Sequence, residues 1–208
     1  MYRLAVVTVF CVTFAFSACS SATSPTGRRD LFGPNALSSY DHFSDSGNPW
    51  QVAPDTLKAD GVGVQSVLVR KDDEFLDGWV EIETNHVDDG GLVLRFLDNE
   101  HYYLLAIRDD SAPAPRGEEN LEIYERNGPG AGGFQIVWLK DIVWPRGTTH
   151  RIRFEAVGIT FSVYVDNTLI GSVNRFAAFS GGSRFGLRHY GVTPNWHDRF
   201  RKFSWRPE

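Results

Sequence analysis

Arginine and tyrosine side chains recur at every second position of several segments whose patterns are typical of β-strands. Alternation places apolar neighbours such as Leu94, Leu105 and Ile123 on the inner face of these strands and sends the arginines and tyrosines to the outer face. Guanidinium groups pair with hydroxyl or carboxylate oxygens, and aromatic rings stack on the C–H faces of sugars. The pattern predicts an oligosaccharide site, neutral or acidic, made by Arg95, Tyr102, Arg108, Tyr124, Arg188 and Tyr190. The alternative is a solvated sheet face with cross-strand Arg–Glu pairs, because alternation always leaves some polar face outward.

Two pairs of glutamates have spacings that bear on acid–base catalysis. A glycosidase needs two carboxylates about 5–10 Å apart, one of them with a raised pKa. Glu81 and Glu83 meet the spacing, because side chains two positions apart on a strand share a face. Glu122 and Glu125 are three apart and would point to opposite faces without a bulge. Glu81 and Glu83 are therefore the catalytic alternative, and the leading expectation is a protein without catalytic residues.

The elements that must position these residues are clearest between Thr149 and Val173. Ile152, Phe154 and Ala156 share one face of a strand, and apolar residues from Ile159 to Val165 share one face of the next. Val157-Gly158 and Asp166-Asn167 stand where two-residue turns need positive φ. The segment predicts three consecutive antiparallel strands with one buried side.

Most of the remaining chain shows the same short alternating runs. Trp79–His86 forms one predicted strand, Leu92–Phe96 and Tyr103–Ile107 form a hairpin, and Leu121–Arg126 and Phe134–Val143 form another. Asp109–Asn120 is rich in proline and acidic residues and is predicted to be a surface loop. Two further strands follow at Arg184–Tyr190 and Arg199–Trp205. Many short strands without a helical period predict an all-β fold, an antiparallel two-sheet β-sandwich.

Length and charge limit the classes of function. The part of the chain from Tyr40 to Glu208 suits one domain with a sizeable core. The formal net charge is −5, and no long basic cluster occurs, which argues against nucleic acid as a partner. The histidines are scattered without the paired spacing of a transition-metal site.

The N-terminus predicts export. Arg3 precedes an apolar stretch from Leu4 to Phe16, which is shorter than the roughly 20 residues that a membrane-spanning helix needs. Phe16-Ser17-Ala18-Cys19 resembles a bacterial lipobox, in which the cysteine is lipidated after cleavage. Residues 1–18 are thus predicted to be a lipoprotein signal peptide, with Cys19 as the lipidated residue and 19–39 as a flexible tether. The serines after Cys19 imply, by the same resemblance, an outer membrane lipoprotein; the alternative is an ordinary secretory signal.

Several motifs from Tyr40 onward, taken in order, resemble the concanavalin A-like lectin/glucanase superfamily. They are the opening YDHFSD, the hairpins GGLVLRFLDNEHYYLLAIRDD and THRIRFEAVGITFSVYVDN, and the strand FGLRHYG. Their order is similar to that of laminin-G-like jelly rolls and of the 3-keto-disaccharide hydrolase group. The resemblance covers 40–208 and implies a jelly-roll topology with carbohydrate as the ligand class. It does not choose the chemistry, since one fold serves many functions.

The resemblance also implies a structural calcium ion. In jelly rolls of this kind, carboxylates of the first and last strands hold one calcium, and Asp41, Asp45 and Asp198 occupy comparable places. Three functions stay open at this point. The leading one is a membrane-anchored module that binds a poly- or oligosaccharide; a glycan-processing hydrolase and a structural envelope protein with a protein partner are the alternatives.

Overall fold

The computed structural model describes residues 29–30, 36–44, 47–53, 56–60, 63–87, 89–108, 120–143, 148–175, 179, 183–191 and 197–207. Its helical elements are two short 3-10 helices, Ala36–Ser39 and Ala131–Gly133, and no helix within these ranges is long and apolar enough to cross a bilayer. The strands are β1 (Arg29–Asp30), β2 (Tyr40–Ser44), β3 (Trp50–Ala53), β4 (Thr56–Asp60), β5 (Gln65–Arg70), β6 (Gly78–His86), β7 (Gly90–Asp98), β8 (His101–Arg108), β9 (Asn120–Asn127), β10 (Phe134–Asp141), β11 (His150–Val157), β12 (Thr160–Val165), β13 (Thr168–Asn174), β14 (Arg184–Tyr190) and β15 (His197–Pro207).

The strands pair in two antiparallel sheets, which confirms the predicted sandwich. Counted over the described residues, the eight-stranded sheet has the order β13-β12-β11-β6-β15-β4-β3, with β1 also paired to β15. The seven-stranded sheet has the order β10-β9-β8-β7-β14-β5-β2. Neighbours in space are often distant in sequence, as where β15 lies between β6 and β4. The last strand of the chain therefore lies in the middle of its sheet, between two strands that come much earlier in the sequence.

The main core lies between the two sheets and follows the predicted alternation. Ile152, Phe154 and Ala156 of β11 face it and are fully buried. The residues predicted to face inward from the other sheet all belong to the same core: Leu92, Leu94, Tyr103, Leu105, Leu121, Ile123, Phe185 and Leu187. Burial of one leucine or phenylalanine side chain contributes about 1.5–3 kcal/mol. Packing of this core is therefore a large contribution to the stability of the sandwich.

The hairpin turns follow their glycine, asparagine and aspartate residues. Asp166 and Asn167 have φ angles of 50° and 67° and join β12 to β13, as predicted. The turn between β11 and β12 consists of Gly158 and Ile159, one residue later than predicted, because Val157 pairs with Thr160 in the ladder. Gly158 supplies the positive φ of 56°. Ile159 consequently lies in the turn and is exposed, rather than sharing the buried face of β12.

The described part of the chain adds elements before and beyond the predicted strands. β2, β3, β4 and β5 were not among the predicted strands, and together they form one end of both sheets. Within the predicted tether, β1 pairs with β15, and Leu37 packs against the main core. The predicted signal peptide, Cys19 and most of the predicted loop Asp109–Asn120 lie outside the described residues.

Candidate functional site

A second apolar cluster covers the outer face of the seven-stranded sheet. Its buried members come from β5, β7 and β8: Val67, Val69, Val93, Phe96, Tyr102, Leu104 and Ala106. Phe43, Tyr124 and Phe134 are partly buried and pack on this cluster. A sheet face that is merely solvated would carry polar side chains at these positions. The buried members of the cluster therefore form an apolar floor, and the partly buried aromatic side chains lie above this floor.

This face is concave. Phe134 lies on β10 and Arg188 on β14, four strands apart, which corresponds to about 19 Å in a flat sheet. The guanidinium carbon of Arg188 nevertheless lies 5.7 Å from the centre of the Phe134 ring. The sheet between β10 and β14 must curve for this contact to form. We call this surface, formed by the apolar cluster and the side chains above it, the concave face.

Two buried arginines flank Phe134 on the concave face. The guanidinium carbon of Arg126 lies 4.6 Å from the Phe134 ring centre and 5.6 Å from that of Tyr102. One terminal nitrogen of Arg126 donates to the Tyr102 hydroxyl at 3.3 Å, and one of Arg188 donates to the Asp89 carbonyl at 3.2 Å. Both arginines are 7% exposed, and the Nε of each is buried without a hydrogen-bond partner. A buried N–H donor lowers the stability of the folded state unless another group accepts a hydrogen bond from it.

A compact ionic network lies beside these residues on the concave face, since Arg188 is 3.5 Å from the Asp89 carboxylate. Arg108 lies 3.4 Å from the Glu122 carboxylate and 3.6 Å from that of Asp89, and it donates to the Tyr124 hydroxyl at 3.1 Å. The Tyr124 hydroxyl donates in turn to Glu122. Burial, together with this hydrogen bond, raises the pKa of Tyr124. Both carboxylates are buried and paired with arginine, so they act as fixed acceptors and counter-charges here.

A fourth arginine, Arg184, closes the side near β2. Arg184 donates to Asp41 at 2.6 Å, and its guanidinium carbon lies 5.6 Å from the Phe96 ring centre and 6.0 Å from that of Phe43. Asp41 and Arg184 are partly exposed, in contrast to Arg126 and Arg188. This ion pair forms the solvent-facing rim of the concave face.

Arg95 does not belong to this surface, and its predicted outward orientation is wrong. A β-bulge interrupts the pairing of β7, and Arg95 has a φ of 51°. The bulge turns Arg95 toward the other sheet, where it is 1% exposed, and places Phe96 on the concave face instead. Arg95 donates to the carbonyls of Leu76 at 3.1 Å and Gly158 at 2.5 Å. It joins the two sheets.

The other predicted members of the Arg and Tyr set lie on the concave face. Arg108, Tyr124 and Arg188 occupy it as described, and the Arg188 guanidinium carbon lies 5.2 Å from the Tyr190 ring centre. Tyr102 also points to this side, but it is fully buried beneath Arg126 and forms part of the floor. The sequence prediction did not identify Phe134 or Arg184. The register of the β9–β10 hairpin, which pairs Phe134 with Arg126, is the signal that would have located Phe134.

Glu81 and Glu83 lie on β6, on the outer face of the opposite sheet. Arg151 lies 3.5 Å from Glu81 and 3.2 Å from Glu83, and Lys202 lies 2.9 Å from Glu83. The hydrogen bond from Lys202 is the main cause that lowers the pKa of Glu83. A lowered pKa does not suit the acid of a catalytic pair, and the contacts with Arg151 and Lys202 occupy both carboxylates. The pair therefore contributes to a cross-strand ionic ladder and not to the concave face.

The predicted calcium ligands are not brought together by the described residues. Asp41 is on β2 of the seven-stranded sheet and is bonded to Arg184. Asp198 is on β15 of the other sheet, its side chain lies outside the described part of the chain, and Asp45 lies outside it altogether. Within that part, no three His, Cys, Asp or Glu side chains are grouped closely enough to hold a metal ion. Asp41 is the only one of the three whose side chain is described, so the calcium ion stays a prediction.

Comparison with known proteins identifies the fold. No protein-family model and no curated protein matches the sequence. Among solved structures, the carbohydrate-binding module CBM66 from Bacillus subtilis matches with a TM-score of 0.59 at 15% identity, covering 78% of this chain and 92% of the module. The exoplasmic/lumenal domain of VIP36, bound to Ca²⁺ and Man3GlcNAc, matches with 0.58 at 13% identity, covering 86% and 88%. A protein of unknown function with a galectin-like fold from Bacillus subtilis matches with 0.62 at 10% identity, covering 86% and 94%. These matches confirm the jelly-roll β-sandwich fold that the sequence predicts.

Proposed function

We propose that this domain binds carbohydrate on the concave face of its seven-stranded sheet. The observation that carries the proposal is the grouping of Phe134 with Arg126 on the neighbouring strand and with Arg188, which lies four strands away from Phe134 in the sheet. Aromatic rings and guanidinium forks are the groups that bind sugar C–H faces and sugar oxygens. Two solved structures of the same fold are described as a carbohydrate-binding module and as a domain bound to Man3GlcNAc, which supports this ligand class.

The concave face offers two neighbouring groups of side chains to a sugar, an aromatic ring and a set of buried carboxylates. Phe134 is partly buried and offers its ring at the start of β10, next to the solvent-exposed β9–β10 loop. Beside it, Glu122 and Asp89 are fixed acceptors for sugar hydroxyl groups, held in place by Arg108. Because the floor is apolar and buried, these polar groups act where water is scarce, which strengthens their hydrogen bonds.

The test is a glycan-array screen followed by calorimetry on the ligands found, with Phe134→Ala against a matched control. Tyr164→Ala is the control, because Tyr164 is also a partly buried ring stacked by an arginine, 3.9 Å from the guanidinium carbon of Arg153, but on the outer face of the other sheet. We expect Phe134→Ala to weaken binding about tenfold or more and Tyr164→Ala to leave it unchanged. Equal binding by Phe134→Ala and the wild type would show that the glycan does not bind on the concave face.

The same experiment separates binding from catalysis and from protein recognition. We propose a non-catalytic role, supported by the ion pairs that hold Glu81 and Glu83 as carboxylates. Release of reducing sugar that is lost in Glu81→Gln would overturn this role in favour of the hydrolase. An array without any bound glycan, together with a protein captured by the wild type and not by Phe134→Ala, would favour the envelope-protein alternative.

We propose further that the domain is held at the outer membrane by lipid on Cys19. The apolar stretch before Cys19 and the Ser-, Thr- and Pro-containing segment after it support a lipidated and tethered chain. Because β1 already pairs with β15, only about ten residues separate Cys19 from the sandwich; they reach at most about 35 Å, so the bound glycan would lie near the same membrane. Metabolic palmitate labelling should be present in the wild type and absent in Cys19→Ser, and labelling that persists in the variant would refute the anchor.

A further inference from the structure

We infer that the ligand of the concave face is an acidic oligosaccharide whose carboxylate binds Arg126 and Arg188. This inference rests on the proposed carbohydrate function and specifies its ligand class. It starts from a charge imbalance that a neutral sugar would leave in place.

Most charges on the concave face are paired, but that of Arg126 is not. Arg108 contacts both Glu122 and Asp89, Arg188 lies 3.5 Å from Asp89, and Arg184 is bonded to Asp41. Among the described residues, Arg126 meets no carboxylate and has only the Tyr102 hydroxyl as a hydrogen-bond acceptor. An unpaired cation that is more than nine-tenths buried is unusual, because loss of hydration is costly for a charged group.

Stacking on aromatic rings offsets only part of that cost. Cation–π contacts with Phe134 and Tyr102 favour the charged guanidinium of Arg126, but they do not accept its N–H groups. The Nε of Arg126 and that of Arg188 each remain without an acceptor. A bound carboxylate supplies both missing elements, a negative charge and two acceptor oxygens in the geometry of the guanidinium fork.

The two arginines are close enough to act on one acidic group or on two neighbouring ones. Both guanidinium carbons contact the same Phe134 ring, so they are at most about 10 Å apart. The ring itself lies beside both cations and can stack on the sugar that carries the carboxylate. The site thus combines an aromatic platform with two charged forks, which suits a uronic acid within a chain.

The experiment compares acidic oligosaccharides with their own neutral forms. The probes are oligomers of galacturonic, glucuronic, mannuronic and guluronic acid, each with its fully methyl-esterified form, which keeps the ring and removes the charge. Titration calorimetry with the wild-type protein should show binding of one or more acids and binding of the ester weakened about tenfold or more. Raising the salt concentration should weaken binding of the acid and not of the ester.

The protein variants are Arg126→Met and the matched control Arg153→Met. Arg153 also stacks on two aromatic rings and has a buried Nε without a partner, but it lies on the outer face of the other sheet. We expect Arg126→Met to lose the preference for acid over ester and Arg153→Met to keep it. Because the acid–ester comparison is made on the wild type, the test stands even if a variant does not fold.

The outcomes distinguish this inference from the function on which it rests. If the wild type binds acid and ester equally, or only neutral glycans, and Phe134→Ala abolishes that binding, the acidic ligand is refuted and the carbohydrate function remains. If only sulfated glycans bind, the carboxylate assignment is refuted. If no glycan of any class binds, the proposed function itself fails, and the inference fails with it.

Discussion

Replacement of Arg95 by alanine should be among the most destabilising single changes in this domain. The side chain is 1% exposed and bonds to the carbonyls of Leu76 and Gly158 and to the carboxylate of Asp77 at 3.0 Å. Alanine would leave both carbonyls without this donor, and the charge of Asp77 without its partner. Loss of one partner from a buried, hydrogen-bonded charge costs about 3–5 kcal/mol. Since Asp77 is about one-third exposed, we expect the lower end, about 3 kcal/mol.

The backbone at Arg95 allows a sharper comparison, that of alanine with glycine. With φ at 51°, a residue with a Cβ atom is strained by about 1–2 kcal/mol relative to glycine. Arg95→Gly should therefore be more stable than Arg95→Ala by about 1 kcal/mol. In an ordinary strand the order is reversed, because glycine is about 0.5–1 kcal/mol less favourable than alanine. Arg153 lies on β11, is not among the residues with positive φ, and provides that reference.

The assay is urea unfolding followed by tryptophan fluorescence on four variants, alanine and glycine at each position. Linear extrapolation gives the free energy of unfolding, and an unchanged slope confirms that the same transition is compared. We expect the glycine variant to have the larger free energy of unfolding at position 95. At position 153 we expect the alanine variant to have the larger one. If alanine were the more stable variant at both positions, β7 would lack the bulge, and the account of Arg95 and Phe96 given above would be wrong.

Three further changes test other parts of the structure. Asp41→Asn should lower stability by about 0.2–1 kcal/mol through its lost ion pair when measured in EDTA, and a larger loss in calcium would indicate bound metal. Glu83→Gln should remove a contribution to the free energy of unfolding that depends on pH. The hydrogen bond from Lys202 lowers the pKa of Glu83 in the folded state. The Glu83 carboxylate therefore stabilises the fold fully above its unfolded pKa of 4.5, and this stabilisation is lost as the pH falls through the folded-state pKa. Urea midpoints at about pH 6 and about pH 3 measure this, and an equal wild-type advantage at both would contradict it. Gly91→Ala should cost about 1–3 kcal/mol by thermal melting, because its Cβ would overlap a carbonyl of the neighbouring strand, whereas Gly132→Ala, with open space around it, should melt like the wild type.

The fold could be predicted where a strand buries only one face. The alternation of Ile152, Phe154 and Ala156 specified β11 completely, because a shift of one residue would have exposed all three. Asp166 and Asn167 specified their turn because both tolerate positive φ. Near Gly158, a two-residue turn could include either neighbour, and only the pairing of the finished hairpin decides between them.

The candidate site could be predicted only in part, because sheet curvature and bulges depend on distant contacts. Alternation alone sends Arg95 outward and Phe96 inward, yet the bulge reverses both. The groups that hold Arg95 inward come from Asp77, 18 positions away, and Gly158, 63 positions away. The approach of Phe134 to Arg188 likewise depends on curvature across four strand spacings, which no local pattern records.

The bulge on β7 links the stability of the sandwich to the shape of its concave face. By turning one side chain inward, it lets Arg95 join the seven-stranded sheet to the β11–β12 turn of the other sheet. By the same shift of one residue, it places Phe96 in the floor, where its ring stacks on Tyr102 with centres 5.6 Å apart. Tyr102 is in turn the residue that Arg126 covers. A variant that removes the bulge should therefore alter ligand binding as well as stability, although position 95 itself never faces the ligand.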